Sequence, residues 1–277
     1  MAFTKCESWD DCGKPSVMKF NGEKWVLLGS PEFTDEPVGF NPSALWVGNN
    51  NSSGSESIIL GTYQKDSAAL MLYQEGHWIQ VGKEFSNSSK IIDFDNDTPY
   101  AAFFDHTLGI TVMKYVSNDW VSVGSPRYGS DKVYGLSFFV NQSVPYVSFM
   151  DAMNGYKATV MKIVGNDWMK VGDPGFAGSG TIQKIYVDNG VPYIAYTANE
   201  YDDYSGIGIS VMKFVDDSWV FVGKQKFSNG YVTDLSLIVD NSKPYVAYLS
   251  HPNRPPLTQH ETIDDEGPRK LTVMSYR

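Results

Sequence analysis

Trp168-Met169-Lys170-Val171-Gly172 comes back 51 residues later as Trp219-Val220-Phe221-Val222-Gly223. The same phrase stands earlier as Trp25-Val26-Leu27-Leu28-Gly29, Trp78-Ile79-Gln80-Val81-Gly82 and Trp120-Val121-Ser122-Val123-Gly124, with spacings of 42 to 53 residues. Self-similarity at such a period marks a structural repeat. Working outward, a second phrase precedes each copy: Val17-Met18-Lys19-Phe20, Leu70-Met71-Leu72-Tyr73, Val112-Met113-Lys114-Tyr115, Val160-Met161-Lys162-Ile163 and Val211-Met212-Lys213-Phe214. A sixth, Val273-Met274-Ser275-Tyr276, ends the chain. Ahead of these run Pro99-Tyr100-Ala101-Ala102-Phe103, Pro145-Tyr146-Val147-Ser148-Phe149, Pro192-Tyr193-Ile194-Ala195-Tyr196 and Pro244-Tyr245-Val246-Ala247-Tyr248, with a degenerate copy near Ile58 to Tyr63. A fourth phrase leads the unit, as in Leu235-Ser236-Leu237-Ile238-Val239.

Each phrase is short and rich in Val, Ile, Tyr, Phe and Trp, and turn residues such as Asn21-Gly22, Asp188-Asn189-Gly190 and Asp240-Asn241-Ser242 separate them. That pattern predicts strands joined by tight hairpins. A leading proline is tolerated because the first strand residue need not donate to the ladder. Several phrases are apolar on both faces, so each sheet must be covered on both sides. Sheets stacked radially meet that need.

Four short strands per repeat of this length resemble the β-propeller superfamily. The resemblance covers about residues 16–277 and implies an all-β, five-bladed propeller of four-stranded antiparallel blades. The blades are expected at 41–82, 89–124, 133–172, 180–223 and a composite of 231–277 with the Trp25 strand, so that the two chain ends close the ring. In this count one copy of the Val-Met strand, at Val17 or Val273, is surplus. The C-terminal copy is expected in the blade and the N-terminal one outside it. Residues 1–15 are expected as a tail. The Trp-Asp dipeptides of WD40 repeats, the double glycines of kelch and the Asp-box of sialidases are absent from the sequence.

Composition narrows the function. The 277 residues carry 22 Lys+Arg against 32 Asp+Glu, a net charge of −10. Such a chain lacks the cationic surface that displaces counterions from a phosphate backbone, so nucleic acid is an improbable partner. No run of apolar residues is long enough to predict a membrane helix, and the first residues have no apolar signal core. Asn-X-Ser/Thr sequons begin at Asn50, Asn51, Asn87, Asn96 and Asn141 and lean toward an extracellular or cell-surface protein. Cys6 and Cys12 are either a short disulfide clip or two free thiols, since their spacing fits no metal motif.

With the Ser-Leu-X-Val strand innermost, the loops joining second to third strands and the passages between blades emerge on one face. Those loops vary: 106–109, 151–156, 199–207 and the Pro- and acid-rich 251–270. Variable loops on a rigid ring are where binding residues lie. Each passage carries an aromatic residue at an equivalent offset, Phe33, Phe85, Tyr128, Phe176 and Phe227. Such rings either stack on the apolar faces of sugars or plug the gap between blades. Some five-bladed propellers are glycoside hydrolases with carboxylates in the central funnel. Asp105 and Asp151 occupy equivalent positions after the second strand, but a residue that recurs with the repeat also suits a turn cap. The acidic clusters at 200–203 and 264–266 offer oxygen ligands of the kind calcium takes, without EF-hand spacing. The expected function is a non-catalytic, lectin-like propeller that binds carbohydrate or glycoprotein at repeated sites. A protein-binding or adhesion scaffold is the alternative, and a glycoside hydrolase a more remote one.

Overall fold

A computed structural model describes residues 2–8, 11–34, 45–49, 56–64, 67–86, 90–96, 98–105, 109–117, 119–125, 133–178, 183–198, 208–229, 231–251 and 270–276. Apart from one 3-10 turn at Ala152–Asn154, the regular structure among them is all β, and every strand pairing is antiparallel. The chain divides into two compact units, Met1–Pro126 and Arg127–Arg277.

In the first unit, β1 (Ala2–Ser8), β2 (Asp11–Phe20) and β3 (Trp25–Leu27) form a three-stranded sheet. The first four-stranded blade follows, from β4 (Leu45–Asn49), β5 (Glu56–Gln64), β6 (Ser67–Gln74) and β7 (His77–Ser86). The second has β8 (Lys90–Asp95), β9 (Thr98–Asp105), β10 (Gly109–Val116) and β11 (Asp119–Val123).

In the second unit, the third blade is β12 (Val133–Asn141), β13 (Val144–Asp151), β14 (Lys157–Val164) and β15 (Asp167–Lys170). The fourth is β16 (Gln183–Asp188), β17 (Val191–Ala198), β18 (Gly208–Val215) and β19 (Ser218–Phe221). The fifth has three strands, β20 (Tyr231–Asp240), β21 (Lys243–His251) and β22 (Lys270–Ser275). The first four blades thus fall where the repeat places them, as do the first three strands of the fifth.

The hairpins follow from their turn residues. Asn189-Gly190, Asp216-Asp217 and Asn241-Ser242 are two-residue loops with positive φ at both positions, the twist that suits right-handed strands. Strand β13 is buried from Pro145 to Asp151, as expected of a strand covered on both faces, whereas β19 is largely exposed. Between the third and fourth sheets the core gathers Tyr146, Met150, Val160, Ile185, Ile194 and Met212. Between the fourth and fifth it gathers Tyr193, Ile209, Val211, Leu235 and Val246.

One expectation is corrected. The Trp25 strand does not complete the fifth blade: β3 pairs with β2, with Met18 opposite Leu27 and Phe20 opposite Trp25. The reason is local. Asn21 accepts hydrogen bonds at Oδ1 from the Glu23 and Lys24 amides and donates its own N–H to the Lys24 carbonyl, closing a four-residue turn. Such a turn costs far less chain entropy than bringing the two chain ends together. The surplus Val17–Phe20 strand is thereby explained as part of β2, and the C-terminal copy lies in the fifth blade as β22, as expected. The stretch expected as a tail contributes β1 and the start of β2.

Candidate functional site

The joints between successive sheets are built to one pattern, visible at two places. Trp78 donates its Nε1 hydrogen to the Leu28 carbonyl at 2.8 Å, and its ring stacks on Phe33 with centroids 4.5 Å apart. Trp219 does the same to Val171 at 2.8 Å and stacks on Phe176 at 4.2 Å, with the planes 6° apart. A second aromatic of the Trp sheet leans on each indole, Tyr73 on Trp78 and Phe214 on Trp219. The glycine that ends each phrase lets them approach. A Cβ added at Gly172 would lie 2.9 Å from both Phe214 and Trp219, and its φ of +73° disfavours any side chain.

A hydroxyl fixes each passage. Ser16 Oγ accepts from the Glu32 amide, Thr159 Oγ1 from the Gly175 amide and Ser210 Oγ from the Lys226 amide. Each donor immediately precedes the passage aromatic, Phe33, Phe176 or Phe227. Of the aromatic candidates, Phe33 and Phe176 therefore stand as plugs against an indole. Phe227 packs against the core of the fourth and fifth sheets and has no indole beside it among the described residues. Phe85 lies in β7 opposite Ala68, its side chain outside the described residues, as is the whole of Tyr128.

The variable face is best seen at the end of the third blade. Asp151 ends β13 and its carboxylate caps the 3-10 turn, accepting from the Met153 amide at 2.9 Å and from Asn154 Nδ2 at 2.6 Å. Both oxygens thus serve the turn. The Tyr156 amide donates to the Asp151 carbonyl at 2.9 Å, which sets Tyr156 in a left-handed conformation with φ of 58°. Its ring, 36% exposed, meets that of Tyr134, 54% exposed, at 5.8 Å. Tyr134 reaches this position through a register shift in β12 that includes Gly135 at φ of 60°. Met153 completes the surface at 79% exposure, and Gly175 of the Phe176 passage approaches Asn154, so loop and passage do emerge on one face here.

Asp105 ends β9 opposite Gly109, at the position equivalent to Asp151, and its side chain lies outside the described residues. So do the loops at 106–108 and 199–207, most of the 251–270 segment and both acidic clusters. Among the described residues, no cluster of three metal-ligating side chains is present. No helix there is long and apolar enough to cross a membrane. Strands β1 and β2 place Cys6 opposite Cys12, while their side chains also lie outside the described residues.

The sequence did not single out Tyr134, Tyr156 or Asn154. Tyr156 and Asn154 sit in a loop marked as variable, but Tyr134 enters through a bulge whose one sequence trace is Gly135.

Solved structures supply the comparison. The chain is similar to the fucose-specific lectin of the fungus Aleuria aurantia at 15% identity and a TM-score of 0.51, covering 76% of this chain and 71% of that one. A second structure of that lectin, described as a six-bladed β-propeller with a novel fucose recognition mode, matches at 16% identity and a TM-score of 0.51, covering 83% and 80%. A Trypanosoma rangeli sialidase in complex with sialic acid matches at 10% identity and a TM-score of 0.51, with 95% of this chain aligned to 49% of that one. The fold is a β-propeller. No family model and no curated protein matches the sequence.

Proposed function

We propose that this propeller is a non-catalytic recognition protein, lectin-like, that binds carbohydrate on its variable loop face. The observation that carries the reading is the exposed Tyr134–Tyr156 ring pair, set beside the Asn154 amide at the end of the third blade. Sugars present apolar C–H faces to rings and hydroxyls to amide groups, and this surface offers both. The fold likeness supports the reading, since the named neighbours include a fucose-specific lectin and a sialidase holding sialic acid. The Phe33 and Phe176 rings contribute by holding the passages in place. Equivalent loops of the other blades would supply further sites and multiply weak single-site affinity. Glycoproteins or surface glycans outside the cell are the natural partners of such a protein, in keeping with the sequons.

A hydrolase reading draws less support. An acid and a base must flank a glycosidic bond, and the Asp151 carboxylate is already committed to two hydrogen bonds within its own turn.

The test is a glycan array with the purified protein, followed by competition with the free sugar. Binding to a defined sugar that falls at least tenfold in Tyr134→Ala and Tyr156→Ala supports the proposal. Absence of binding to every sugar sinks it and leaves the protein-binding scaffold as the reading.

A further inference from the structure

The joint between the fourth and fifth sheets repeats the pattern of the other two with one part left out. Gly223, φ +77°, meets Tyr276 as Gly29 meets Tyr73 and as Gly172 meets Phe214. Phe227 follows Gly223 by four residues, as Phe33 follows Gly29 and Phe176 follows Gly172. The passage is pinned alike, by Ser210 on the Lys226 amide. At the other two joints an indole from the fourth strand of the next sheet fills the space, and here the described fifth sheet stops at its third strand. A cavity of about 360 Å³ lies in that position, lined by Val222, Gly223, Phe227, Val246, Met274 and Tyr276.

Among the described residues, no strand pairs with the outer edge of β22 beside it. Strand β22 is exposed at nearly every position, with Leu271 and Val273 more than three-fifths accessible. Its Tyr276 corresponds to Phe20, Tyr73, Tyr115 and Phe214, and each of these leans on a tryptophan of the adjoining strand at 5.3 to 5.7 Å. An unpaired apolar edge is a template for strand addition.

We propose that β22 and the adjoining cavity form a docking site for an extended segment of a partner protein that carries a tryptophan, added as the fourth strand of the fifth blade. The chain's own joints define the fit. The tryptophan lies opposite Tyr276 and the next two residues lie opposite Ser275 and Met274, as Trp219, Val220 and Phe221 lie opposite Phe214, Lys213 and Met212. The indole stacks on Phe227 and donates to the Val222 carbonyl, the counterpart of Leu28 and Val171. The charge of the segment follows from the rim, where Lys224 is the one charged residue lining the cavity among the described residues. An acidic residue just before the tryptophan, as in Asp119-Trp120 and Asp167-Trp168, complements it.

This site is independent of sugar binding and is tested without it. A fluorescein-labelled peptide with the sequence of residues 117–124, which carries Asp119 directly before Trp120, is titrated into the full chain by anisotropy, and the same peptide with Trp→Ala serves as its partner. Saturable binding weakened at least tenfold by the peptide change, and again by Phe227→Ala in the protein, is expected. Amide shifts confined to the neighbourhoods of Val222 and Tyr276 are expected with it. The peptide change needs no altered protein, so it decides the matter even if Phe227→Ala fails to fold. Equal binding of the two peptides, or no binding, overturns the proposal. Equal affinity for N-acetyltryptophanamide overturns strand addition, because the cavity alone then suffices. A self-associated protein that becomes monomeric on Trp25→Ala also overturns it, because a second copy is then the occupant.

Discussion

The indole of Trp219 lies flat on Phe176, centroids 4.2 Å apart, while its Nε1 hydrogen bonds the Val171 carbonyl. One side chain thus joins the fourth sheet to the third by stacking and by a directed bond, and the apolar repeat acquires a fixed angle of approach.

Removing that ring is expected to be costly. Trp219→Ala should destabilise the protein by about 3 to 5 kcal/mol, the range for truncating large buried aromatics, with its partly exposed edge favouring the lower end. A double-mutant cycle with Phe176→Ala should return a coupling of about 0.5 to 1.5 kcal/mol. Urea unfolding of the four proteins measures both, and zero coupling would show that the stack adds nothing beyond burial.

Ser210→Ala removes the acceptor for the Lys226 amide and should cost about 1 kcal/mol. The effect should be local. Amide hydrogen exchange should quicken at Lys226 and Phe227, while amides of the third sheet keep their rates.

Alkaline pH should unfold the protein through its tyrosines. Burial raises the pKa of Tyr193, Tyr196 and Tyr146 above the usual 10.0, and for Tyr193 and Tyr196 a hydrogen bond with Ser242 or Ser210 offsets part of that rise. The neutral phenol is favoured in the folded state, so this contribution is whole below pH 10 and is lost as pH climbs through the raised values. Thermal melts from pH 8 to 11.5 should show the melting temperature falling above pH 10, and Tyr196→Phe should shallow that fall.

Strands β1 and β2 set Cys6 and Cys12 opposite one another. Directly opposed residues of an antiparallel pair lie about 4.5 to 5.5 Å apart at Cα, within the span a disulfide bridges. Alkylation followed by mass spectrometry, with and without reductant, should find both thiols protected in oxidised protein. Full labelling without reductant would refute the clip.

The repeat made most of the fold legible, because strand length, hairpin turns and the Trp-to-Gly phrase each carry a local signal. The place of β3 was less so: Trp25 carries the same phrase as Trp219, and only the Asn21 turn tells that it folds back on its own neighbour. At the candidate site, Asp151 was legible as a turn cap from its recurrence. The Tyr134–Tyr156 pair depends on a register shift in β12 and a left-handed Tyr156, and such backbone departures leave little trace in residue type.

At Gly29, Gly82, Gly172 and Gly223 the glycine that ends the Trp phrase answers to two demands at once, a left-handed backbone and an aromatic ring from the next sheet pressed against its α-carbon. Neither relaxes when the other is met. Divergence between copies is therefore steered away from this position and into the loops, which lets duplicated modules grow apart in sequence and still lock together. A chain built from such modules can vary its loops without having to reinvent the seams that hold them.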